Sequence, residues 1–186
     1  MFNLKSFLIV ILLLAFAQST YAADSGSYYA NPKQIIDAIN KRGAKQIVFE
    51  LYQDQKIWDS VLRKIGSGEE AWLKVATALR SGSDAGASEM LTLAVSEALE
   101  HKPAVVFKNA LQTFELRDIC SSPDVDDERY NSYELSIRSV NIRIDKVASI
   151  GNPDLKDLSN KCIQYLEESK EHLARFYGVT SKKGML

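Results

Sequence analysis

Three apolar stripes follow one another between Asp54 and Phe107, each with its own start and stop signals. A chain with this pattern folds by laying short amphipathic helices against each other, since no stripe can bury its face alone. The first, Ile57, Trp58, Val61, Leu62 and Ile65, predicts a helix from about Asp54 to Ile65, with Asp54 as its cap and Gly66 as its stop. Ser67 and Glu70 have the spacing of a capping box and predict the start of a second helix carrying Trp72, Val75, Ala76 and Leu79. Ser81-Gly82-Ser83 breaks it. Asp84 is the expected cap of a third helix with Met90, Leu91, Ala94, Val95, Ala98 and Leu99. His101 and Lys102 close that helix where positive charge suits its dipole, and Pro103 opens the next.

The flanking segments extend the pattern. Asn31-Pro32 reads as a cap and first-turn proline before Ile35, Ile36 and Ile39, with a stop near Gly43. A further helix holds Ile47, Val48, Leu51 and Tyr52, and both short helices are expected to cap one end of the stack. Beyond Pro103, Val105, Val106, Ala110 and Leu111 form a short buried helix with Phe107 beside them, and Phe114 and Leu116 lead into Cys120. The connections are short, which favours antiparallel neighbours. Residues 31–119 therefore read as a stack of short antiparallel helices, a HEAT-like array without a fixed repeat period.

After the break at Ser121-Ser122-Pro123-Asp124 the period changes. From about Asp126 to Ala148, the residues Tyr130, Tyr133, Ile137, Val140, Ile144 and Val147 alternate three and four apart. Gly151-Asn152-Pro153 turns the chain, and Leu155, Leu158, Cys162 and Tyr165 resume the spacing. Residues 126–178 thus read as a long C-terminal αα-hairpin. The fold class is all-α, with 23–186 as one helical domain.

The first residues read differently. Met1 to Lys5 is a short positive start, Phe7 to Phe16 is uncharged and apolar, and Thr20-Tyr21-Ala22 fits a small-x-small cleavage site. Residues 1–22 are expected to be a signal peptide cut after Ala22, which directs the chain to the periplasm or outside the cell. One of the 23 basic residues, Lys5, and none of the 24 acidic ones lie in that leader, so the mature chain carries −2. It has no basic excess to neutralise phosphates, which argues against nucleic acid, and no second apolar run to span a membrane.

In an oxidising compartment the pair Cys120 and Cys162 is expected to form one disulfide. Closing a loop of this length stabilises by about 4 kcal/mol through chain entropy. If the hairpin starts at Asp126, residues 121–126 must run back about 20 Å along it, fully extended, to let the cysteines meet.

No residue carries a recognisable chemistry, so no catalytic, cofactor-binding or metal-ligating residue and no cofactor is assigned. Asp124, Asp126, Asp127 and Glu128 read as acids at a helix start rather than a calcium loop, because Leu135 stands where the distal acid ligand belongs. His101 stands alone at a helix end, and His172 is expected to be half-buried in the hairpin. Glu69-Glu70 and Glu97/Glu100 read as caps or a solvated face. Gly66-Ser67-Gly68 lacks the strand and lysine of a phosphate loop. Trp58 and Trp72 are expected to be core anchors of facing helices, with ligand stacking as the alternative. Tyr28, Tyr29, Tyr130 and Tyr133 offer an aromatic surface, the latter two more simply as hairpin seam.

The residues Trp58, then Gly68-x-x-x-Trp72-Leu73-x-x-Ala76-x-x-Leu79-Arg80, Asp84-Ala85 and Ala98-Leu99-x-x-x-Pro103 cover about a quarter of the chain. This segment resembles a group of small exported proteins of Gram-negative bacteria with no assigned activity. The resemblance implies a periplasmic helical domain and carries no catalytic residue. The expectation for function is a protein-binding module whose partner is another envelope protein, one version being an inhibitor or immunity-type protein. Two alternatives stay open. A small-molecule or lipid carrier would have an apolar cavity between stack and hairpin lined by Trp58, Trp72 and Tyr133. An unrecognised hydrolase would have a buried carboxylate pair in a cleft. The oligomeric state is not legible.

Overall fold

The computed structural model describes residues 29–121, 123 and 125–179. The leader 1–22 and its cleavage site, Tyr28, Asp124 and the tail 181–186 lie outside the described residues. Within them the fold is all-helical. Helix α1 (Pro32–Arg42) is followed by α2 (Ala44–Gln53), α3 (Gln55–Gly66), α4 (Glu70–Arg80) and α5 (Ala85–Glu97). A 3₁₀ turn (Ala98–Glu100) leads to α6 (Pro103–Asn109) and the single turn α7 (Leu116–Ile119). After a connection comes α8 (Tyr133–Ala148), a 3₁₀ turn (Pro153–Leu155) and α9 (Lys156–Phe176).

Local chemistry sets most of these boundaries. The Asn31 side chain accepts from the Lys33 amide, Asp54 from Lys56 and Ile57, and Asp84 from Ala87, each satisfying a first-turn donor. Gly43 ends α1 at φ +86°, where a Cβ would be strained. The start of α4 departs from expectation. Ser67 keeps helical angles, and its hydroxyl donates back to the Lys64 carbonyl. Glu69 becomes the cap residue without a side-chain bond, and Glu70, one place inside the helix, pairs with Lys74. The capping box therefore does not form. Gly66 is the last helical residue rather than the stop, and Gly68 makes the left-handed turn at φ +73°.

In the stack, α2 packs on α3 and α4, α3 on α5, α4 on α6, and α1 reaches across to α4. The buried side chains form one continuous core. Trp58 is fully buried; its indole ring meets Tyr52 edge-on at 5.7 Å, and its N–H points at the Met90 sulfur. Trp72 is buried too, with the Lys64 ammonium over its ring at 4.8 Å. Both tryptophans are thus core residues.

Helices α8 and α9 form the hairpin, which packs on the stack through the 98–100 turn, α6 and α7. Cys120 and Cys162 are bridged, with Cα atoms 5.3 Å apart. The hairpin is shorter than expected at its start. Ser132 caps α8 by accepting from the Leu135 amide, so 126–132 is turn rather than helix. With 16 residues, α8 is about 24 Å long. The chain thus has more residues, and less distance, to cover between the bridge and the hairpin, and the extended 121–126 linker is unnecessary. Among the described residues no helix is long and apolar enough to cross a membrane.

Among the described glycines, the tightest approach to neighbouring backbone is at Gly82 in the α4–α5 turn. A Cβ on Gly82 would lie 2.2 Å from the Lys45 amide nitrogen and 2.3 Å from the Ala44 carbonyl carbon. Nothing at the end of a flexible side chain is there to yield. Gly82→Ala is therefore expected to destabilise by at least about 2 kcal/mol in urea unfolding. An unchanged midpoint would mean the α2 and α4–α5 segments are not held in this contact.

Candidate functional site

Helix α8 buries two kinds of side chain. Val140 and Val147 join the apolar core, while Ser136, Ser139 and Arg143, three to four apart, form a polar inner face. Arg143 is only 1% exposed. Its Nε donates to Glu100 Oε1 at 3.1 Å, and Nη1 donates to Ser96 Oγ at 2.6 Å and to the Ser121 carbonyl at 3.1 Å. Ser139 donates to the same Glu100 oxygen. A buried guanidinium is tolerated only with a counter-charge and saturated donors. Here Glu100 supplies the counter-charge, and Ser96 and the Ser121 carbonyl supply further acceptors. Glu97 and Glu100, expected as a solvated or capping pair, instead face the connection and the hairpin, Glu97 through Arg129 and Glu100 through Ser139 and Arg143.

The same residues pin the connection between bridge and hairpin. Its first carbonyl, Ser121, is held by Arg143, and near its end the Tyr130 carbonyl accepts from Ser136 at 2.6 Å and from the Tyr177 hydroxyl. Between these points the Asp127 carboxylate accepts from the Arg129 amide at 2.8 Å and pairs with the Arg129 guanidinium at 2.7 Å. Arg129 also pairs with Glu97 across the gap to α5 and lies 5.1 Å over the Tyr130 ring. Asp126, Asp127 and Glu128 are therefore not at a helix start. Asp127 caps a turn, and the helix begins five residues after Glu128. No group of three or more metal-ligating side chains occurs among the described residues.

Glu97 has room to reach Arg129 because Gly66 lies beneath it. A Cβ there would come within 3.1 Å of the Glu97 carboxyl carbon. Arg129 lowers the Asp127 pKa by hydrogen bonding, and its own pKa is raised by Asp127 and Glu97. The Tyr130 phenol is raised, first by burial and then by Glu97 and Glu100. Because the folded pKa of Asp127 is depressed, its ion pair contributes stability above the ordinary carboxylate range and loses it as pH falls through the lowered value.

These groups enclose a cleft of about 470 Å³ between α3, α5 and the connection. Leu62, Met90, Leu93 and Pro123 give it apolar walls, Arg143 lies in its floor, and Arg129 stands on its rim at 51% side-chain exposure. A second groove of about 580 Å³ lies on the other side of α5, over the disulfide. There Arg117 pairs with Glu168 at 2.7 Å and sits 4.8 Å over Tyr165. Leu93 lines both, so α5 is a ridge between two grooves.

Chemically, the cleft presents fixed charge rather than a proton shuttle. Its Glu97 and Asp127 carboxylates are both bound to Arg129, and the Asp127 pKa moves away from the range a general acid needs. His101 is exposed, and so is His172, on the rim of the second groove, not half-buried as expected. Trp58, Trp72 and Tyr133 are not brought together. Trp58 is enclosed in the core, Trp72 borders a shallow depression with Asn31 and Lys64, and Tyr133 packs on Tyr177 at 6.1 Å. Sequence reasoning missed Arg143, Arg129, Ser96 and Ser139. The available signal was the Ser136, Ser139, Arg143 spacing, which marks a second buried face on α8.

Comparisons with family models, with curated proteins and with solved structures find no match to this chain.

Removing one partner of the Arg143–Glu100 pair leaves a buried charge uncompensated, so Arg143→Ala is expected to cost about 3–5 kcal/mol in chemical denaturation. Replacing both, as Arg143→Met with Glu100→Met, is expected to cost less than Arg143→Ala alone. Additive losses would show that the two side chains are energetically independent.

Proposed function

We propose that the protein is an exported envelope protein that binds another protein through the Arg129 cleft. The observation that carries this reading is the build of the cleft: apolar walls from Leu62, Met90 and Leu93 under a charged rim of Arg129, Glu97 and Asp127. Protein interfaces combine an apolar centre with a polar rim, and arginine is enriched among the residues that dominate their energetics. Phe49 and Tyr52, exposed on α2, add apolar surface elsewhere on the stack. Export is supported by the disulfide, which persists in oxidising compartments, and by the leader pattern of 1–22. An inhibitor or immunity-type protein is the specific version in which the partner is an enzyme of the same compartment.

The test is affinity capture from the native envelope fraction after mild cross-linking, comparing the unaltered protein with Arg129→Glu. A protein recovered in fixed stoichiometry, starting from a bait whose own N-terminus is Ala23, is the expected result. Recovery should fall at least about tenfold with Arg129→Glu, because reversing this rim charge repels any acidic group of the partner that it met and sets it against Glu97 and Asp127. A small molecule or lipid recovered without a protein would replace this reading with that of a carrier. Equal capture by the variant would move the binding surface away from the cleft.

A further inference from the structure

Helix α8 has a third face, turned away from both the stack and α9. Glu134, Arg138, Asn141, Ile142 and Asp145 are all exposed along it, and they line a shallow depression of about 440 Å³. Ile142 is 38% exposed, one of the few large apolar side chains left outside the core. Arg138 and Asp145 stand seven residues apart, which at 100° per residue puts them within about 20° of each other around the helix and about 10 Å apart along it. Glu134 precedes Arg138 by four residues, the order that favours an ion pair within a helix. Even so, the side chains of Glu134, Arg138 and Asp145 make no ion pair or hydrogen bond among the described residues.

We propose that this face is self-complementary and pairs, antiparallel, with α8 of a second copy of this chain. A two-fold axis passing between Asn141 and Ile142 matches each residue with the one equally far on the other side. Arg138 then meets Asp145 of the second copy, and Asp145 meets its Arg138, so the dimer holds two such ion pairs and each unpaired charge is neutralised once. The two Ile142 side chains flank the axis and cover one another. The charge order opposes a parallel pairing, which would place Arg138 on Arg138 and Asp145 on Asp145.

The size of the face sets the strength. A strip along a helix of 16 residues, about 24 Å long, is smaller than the roughly 1,200–2,000 Å² of a standard stable interface. The dimer is therefore weak and reversible, with a dissociation constant on the order of 100 μM, and tightens at low salt. The proposal does not depend on the cleft, which lies on the opposite side of α8.

Sedimentation equilibrium of the purified protein, run from about 10 μM to about 1 mM so as to bracket that constant, tests it. The unaltered chain is expected to shift from monomer to dimer over that range. Arg138→Asp and Asp145→Arg are each expected to weaken association about tenfold or more, and the double exchange, R138D with D145R, to restore it to within about threefold. Circular dichroism melts report folding, which these exposed positions leave intact. A chain that stays monomeric to the highest concentration overturns the proposal. So does a dimer that both single variants leave unchanged, since it forms through another surface.

Discussion

The buried pair of Arg143 and Glu100 joins the two halves of this fold. An apolar stack and an amphipathic hairpin could pack at several registers, because hydrophobic contact is not directional. A guanidinium that must find Glu100, Ser96 and the Ser121 carbonyl at once permits one register only. Its net contribution to stability is small, since desolvating both charges offsets most of their attraction. What it contributes is position. Ser136 and Ser139 follow from the same constraint, because small hydroxyl residues let α8 approach the 98–100 turn and still satisfy the polar groups buried there.

The disulfide acts one residue away. Cys120 ties the end of α7 to the first third of α9, and Ser121 then hands its carbonyl to Arg143. The connection to α8 thus leaves a covalent anchor and a buried hydrogen bond in succession. Farther along, Asp127 and Arg129 fold it into a turn, and Arg129 bridges to Glu97 on α5. The cleft is the space this arrangement leaves open. Its rim charges are held by the stack on one side and by the connection on the other, so the cleft and the joint between the halves share residues.

Much of the helix pattern was legible because it is local. Asn31, Asp54 and Asp84 cap the helices their sequences announce, and Pro32 and Pro103 open theirs. The pairing of Cys120 with Cys162 needed only a count of cysteines. Errors arose where tertiary contact outweighed local preference. Ser67 abandons its capping box because the chain continues one helical step to place Gly66 under Glu97. The hairpin starts at Tyr133 rather than Asp126 because Asp127 finds a better partner in Arg129 than in a helix terminus. Arg143 was invisible for a related reason. An arginine in an amphipathic helix looks solvated, as Arg138 is, until partners distant in sequence, the three of Arg143 here, are known.

If the Arg143 network and the disulfide together make stack and hairpin one cooperative body, the most direct measurement is native-state hydrogen exchange resolved by residue on the oxidised protein. The slowest amides of α8 and α9 should then exchange with the same opening free energy as those of α4 and α5, because no sub-global opening can separate the halves without exposing Arg143. A hairpin that opens at a distinctly lower free energy than the stack would contradict the account, and would leave the Arg143 contact as local packing rather than the joint of the fold.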